Sequence, residues 1–87
     1  MNNSEEVIAQ IKILCSSVTE DSYNVIIQRC HKLLSKLCDL GLERESVYQI
    51  LLEYYNNLED GITSDCVADV LDFIVGWCSP QKRIWKD

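Results

Sequence analysis

The chain has 87 residues, 47% hydrophobic and 25% charged, with a formal net charge of −6; that is enough for one small globular domain over 1–87, burying about 60% of its unfolded surface. No apolar run approaches the roughly 18 residues of a membrane span, and the opening MNNSEEV lacks the basic and apolar regions of a signal peptide, so a cytoplasmic protein is expected. The five cysteines are odd in number and show no C-x-x-C spacing, which argues against a disulfide framework.

The first helix is expected over about 5–16. Asn3 and Ser4 are candidate N-caps, Glu5 and Glu6 suit the positive end of the dipole, and Val7, Ile8, Ile11, Leu14 and Cys15 recur on one face. The second helix has the clearest pattern. Thr19, Asp21 or Ser22 can cap it, and Tyr23, Ile26, Cys30, Leu33, Leu37 and Leu40 follow at spacings of three and four before Gly41 stops it. Arg29, Lys32 and Lys36 make another side of it basic.

A third helix is expected from an N-cap at Ser46, with Val47, Leu51, Tyr54 and Leu58 inward, Tyr48 and Tyr55 beside them, and Gly61 as its end. The fourth should begin at Thr63 or Ser64 and run to about Cys78, because Pro80 forbids continuation. Gly76 then falls inside this helix, where it would admit a neighbouring backbone. No segment alternates with period two. Four helices joined by short connections predict an all-α, up-and-down four-helix bundle, distorted by the length of the second helix; a three-helix core crossed by the first helix is the alternative. A basic tail, 81–87, follows.

Catalysis finds little support. His31 is the only histidine, and Cys30 beside it lies about 100° away around a helix, which is no nucleophile–base geometry. The cysteines are scattered over several helices and read as core, so no metal and no cofactor are expected. DGITSDCVADVL fails as a calcium loop: Asp65 stands where glycine is needed and Leu71 where a bidentate glutamate is needed. A helix-turn-helix built on the second and third helices fails on sign, because the recognition helix would carry Glu45 and Glu53 and no base after Arg44.

Charge distribution is more informative. From Glu45 to Gln81 the only charged residues are Glu45, Glu53, Glu59, Asp60, Asp65, Asp69 and Asp72; the bases return only with Lys82, Arg83 and Lys86. Asp65, Asp69 and Asp72 share one face of the fourth helix, with Glu59 and Asp60 just before it. A solvated face is the ordinary explanation of such a stripe. The absence of local bases and the crowding of Tyr48, Tyr54 and Tyr55 favour a binding surface for an Arg/Lys-rich protein, with Glu53, Tyr54, Tyr55, Glu59, Asp60, Asp65, Asp69 and Asp72 as contact residues. The tail can fold back, Ile84 and Trp85 covering an apolar gap while Lys82 or Arg83 meets Asp69 or Asp72; contact of Trp85 with a partner is the alternative.

In size, charge and its acid-plus-tyrosine surface the chain resembles the small helical immunity proteins of bacteria that neutralise nuclease toxins of colicins and contact-dependent inhibition systems. Tyr54-Tyr55 with Glu53, Glu59, Asp60, Asp65, Asp69 and Asp72 carry the likeness, although YYNN stands here where a proline follows the tyrosine pair in the colicin nuclease family. The resemblance implies a non-enzymatic inhibitor of a basic toxin domain, with no direct contact to nucleic acid or membrane. A phage-encoded nucleic-acid mimic and a homo-oligomeric helical module are the rival expectations.

Overall fold

The computed structural model describes residues 3–76 and 84–85, and among them four helices and no strand: α1 (Asn3–Ser16), α2 (Tyr23–Asp39), α3 (Arg44–Asn56) and α4 (Ile62–Val75). They form the expected all-α four-helix bundle, and its distortion has an identifiable form. α4 packs against all three other helices and α1 against α2, whereas α2 and α3, neighbours in the chain, barely touch. Tyr23 meets Asp69 and His31 meets Phe73, so α2 and α4 run in the same sense. In an up-and-down bundle such parallel helices are diagonal partners. Here that diagonal is closed.

Short side chains permit the close approach. Cys15, Cys30 and Cys66, from α1, α2 and α4, are all fully buried. Their sulfurs touch, Cys15 Sγ lying 3.9 Å from Cys30 Sγ and 3.5 Å from Cys66 Sγ. Hydrogen bonding with Cys30 and Cys66, then burial, push the Cys15 thiol above its usual range. The same contacts favour the thiolate at Cys66; all three cysteines lie in the core, as the sequence suggested. Around it the core continues through Val7, Ile11, Leu34, Leu37, Val47, Leu51, Val67, Val70 and Ile74.

The helix ends correct several sequence expectations. Asn3 and Ser4 already belong to α1, and Ser4 is buried. In α2 it is Leu34 that is fully buried; Leu33 is half-buried and Leu40 is 45% exposed. The inward stripe drifts because 3.6 residues per turn does not hold a strict three–four alternation over five turns. Leu40 is the C-cap, and Gly41, at φ 90°, completes a Schellman stop: Gly41 N–H donates to Cys38 O (3.0 Å) and Leu42 N–H to Leu37 O (3.2 Å). At the start of α2, Thr19 and Ser22 cap one another, each backbone N–H donating to the other's hydroxyl oxygen at 2.9 and 3.2 Å.

α3 begins at Arg44 with Glu43, not Ser46, at the N-cap, and it ends at Asn56; Leu58 packs on the core from outside the helix. The Asn57 side chain donates to Glu53 O at 2.8 Å, satisfying an end carbonyl before Gly61 is reached. α4 stops at Val75, three residues earlier than expected. Gly76 is its left-handed C-cap (φ 83°), with its N–H on Asp72 O at 3.0 Å, and is not a point of backbone approach inside the helix. Cys78 and Pro80 lie outside the described residues.

Ile84 and Trp85 do fold back. Both pack against the core, Trp85 Nε1 donates to Leu42 O at 3.0 Å, and the Cys38 thiol points to Ile84 O at 3.7 Å. The Schellman stop at Gly41 thus presents the carbonyl on which the tail docks. Trp85→Phe keeps most of the ring contact and removes the donor, so it is expected to cost about 0.5–1.5 kcal/mol in urea unfolding. An unchanged unfolding midpoint would mean that Trp85 contributes nothing by this bond. The expected meeting of Lys82 or Arg83 with Asp69 or Asp72 falls on residues outside those described.

Candidate functional site

The acidic face of α4 is positioned by its opposite, apolar side. Val67, Val70, Leu71 and Ile74 are drawn into the core, and Cys66 with them, which turns Asp65 and Asp72 outward and leaves Asp69 half-buried towards α2. The three carboxylates stand in different environments. Asp65 lies in the first turn of α4, where the helix dipole favours it. Asp69 accepts a hydrogen bond from the Tyr23 hydroxyl. Burial and then the Asp69 carboxylate push the Tyr23 phenol above its usual range, so it remains a neutral donor.

Asp72 is the carboxylate that the fold favours least. It sits in the last turn of α4, at the negative end of the dipole. Partial desolvation, then the charge of Asp69, raise its pKa above the ordinary carboxylate range. The sign of the linkage is therefore fixed. The folded state holds this proton more tightly than the unfolded chain does, so the contribution to stability is present at low pH and is lost as pH rises through the acid range. Asp72→Asn should accordingly raise the unfolding free energy in urea titrations at pH 7, by about 0.5 kcal/mol from the dipole alone. The difference should vanish in acid. A variant less stable than wild type at neutral pH would show that the carboxylate makes a stabilising contact.

Beside the stripe lies an open hollow of about 440 Å³ lined by Glu20, Tyr23, Gly61, Ile62 and Asp65. It brings the start of α2 to the start of α4, with Glu59 and Asp60 exposed in the adjoining connection. The tyrosine that meets the carboxylates is therefore Tyr23. Sequence pattern placed it in the core stripe of α2, and its partner lies 46 residues away; the one available signal was that a half-buried phenol needs a polar partner.

Tyr54 and Tyr55 stand on α3. Both are half-buried and packed against the core. The Tyr54 hydroxyl points to Lys12 O on α1 at 3.5 Å, and Lys12 Nζ lies 5.4 Å from its ring centroid. Burial pushes the Tyr54 phenol up. The eight contact residues expected from sequence thus divide. Glu59, Asp60, Asp65, Asp69 and Asp72 share the region around α4, while Tyr54 faces α1, and Glu53 and Tyr55 stand on α3, the first exposed and the second half-buried. His31, the one candidate base, packs edge-on against Phe73 at 5.0 Å between centroids. No group of side chains suited to holding a metal ion occurs among the described residues, and no described helix is long and apolar enough to cross a membrane.

Comparison with protein-family models, with curated proteins and with solved structures finds no match to this chain.

Proposed function

We propose that the protein is a non-catalytic inhibitor of the immunity or antitoxin kind, cytoplasmic, which binds a basic toxin domain through the acidic face of α4. The observation that carries this reading is Asp72. A carboxylate with a raised pKa, at the wrong end of its helix and beside a second carboxylate, is a charge that folding alone would not select. An Arg/Lys-rich partner relieves that repulsion on binding, so part of the electrostatic cost of the free protein becomes affinity. Asp65 and Asp72, both exposed, steer the partner; the hollow beside Tyr23 and Asp65 receives a cationic side chain at the edge of the contact.

Inhibition is tested through the partner. A cationic protein captured from native lysate at low ionic strength, and released as salt rises, is expressed alone and together with this chain. The expected result is growth arrest when it is alone and recovery on co-expression. A captured protein that is harmless when alone would remove toxin neutralisation from the account, while leaving the acidic contact itself to be measured.

A further inference from the structure

A second surface has the opposite character. Between α1 and α2 runs a groove of about 390 Å³ lined by Gln10, Ile13, Leu14, Arg29, Lys32 and Leu33. Its walls are apolar and its charged rim is purely basic; none of these residues is acidic. Ile13 is 64% exposed, more than any other large apolar side chain among the described residues. Leu33, displaced from the core by Leu34, forms the facing wall. Lys36, one turn further along α2, is also exposed. A cationic toxin would be repelled from this side, so the surface is independent of the function proposed above.

We infer that this groove docks a protein segment carrying one large apolar side chain flanked by carboxylates. Charge selects the flanks: Arg29 and Lys32 stand at the mouth and favour acidic neighbours around whatever fills the apolar floor. Length selects the anchor. The lining runs from Gln10 to Leu14 on α1 and from Arg29 to Leu33 on α2, about 6 Å along each helix at 1.5 Å per residue. That is one helical turn, too short to cradle a long acyl chain or a two-turn amphipathic helix, and the volume lies at the small end of the roughly 300–1,000 Å³ of ligand pockets. A single Phe or Leu side chain fits the length; a desolvated apolar anchor supplies the affinity, and the charged rim selects which segment is admitted.

The probe is the blocked peptide acetyl-Glu-Glu-Phe-Glu-Glu-amide, titrated into isotope-labelled full-length protein and followed by backbone amide shifts. The expected result is saturable shifts confined to residues 10–14 and 29–33 with Kd of about 0.1–1 mM. Binding should weaken at least about tenfold in R29E/K32E, whose surface positions leave the core intact. The corresponding lysine peptide should not bind. Absence of localised shifts, an equal response to the lysine peptide, or stronger binding of decanoate at the same amides would each overturn the assignment. Self-association in sedimentation that Ile13→Asp abolishes would overturn it too, by making a second copy of the chain the occupant.

Discussion

Truncating Leu34 to alanine is expected to cost about 2–5 kcal/mol of unfolding free energy, and truncating Leu40 no more than about 0.5 kcal/mol. Leu34 is fully buried in the core from within α2, whereas Leu40 is the 45% exposed C-cap that follows it. Against a total stability of about 5–15 kcal/mol for a domain of this size, the first change is large enough to unfold a good fraction of the chain at 37 °C. Urea unfolding followed by circular dichroism separates the two. Similar costs at both positions would contradict the different burial of these two leucines in the bundle.

Replacing Asp65 and Asp72 together by alanine should slow association with the cationic partner by at least about tenfold at low ionic strength, within the 10–10³ range of electrostatic steering. The effect should shrink as salt shortens the Debye length to about 8 Å at physiological strength. Stability should change little, because the two losses oppose one another. Asp65 supports the first turn of α4 and Asp72 burdens its last. Asp69 is left in place because its hydrogen bond with Tyr23 ties α2 to α4, and its removal would mix a packing defect with the loss of charge.

Much of the bundle is legible in local sequence. The number of helices, their apolar faces, the stop at Gly41 and the return of Ile84 and Trp85 all follow from spacing and from a few residues with special backbone or burial demands. Helix limits are less so. Pro80 drew α4 too far because a proline sets only an outer bound, whereas Gly76 ends the helix by adopting the left-handed conformation, which an interior glycine does not signal. Short connections suggested that chain neighbours pack together, yet α2 turns from α3 to α4. That choice depends on the matching small volumes of Cys15, Cys30 and Cys66 on three separate helices, a match with no local signature.

The acidic face shows the same division. The period of α4 places Asp65, Asp69 and Asp72 on one side, so the stripe is readable from sequence. Which tyrosine joins it is not. Adjacency made Tyr54 and Tyr55 conspicuous, but the packing of α3 turns Tyr54 to Lys12 on α1, and the parallel diagonal carries Tyr23 to Asp69. Residues brought together across 46 positions are set by tertiary packing, which periodicity within one helix does not encode.

The most direct measurement is parallel capture from native lysate at low ionic strength on immobilised wild-type protein and on D65A/D72A, each eluted with rising salt. The account predicts that a basic protein is held by wild type, leaves as salt rises, and is absent or strongly depleted on the variant, while both baits unfold at similar temperatures. The same proteins retained equally by both baits, or no basic protein retained by wild type, would contradict a docking role for the acidic face of α4.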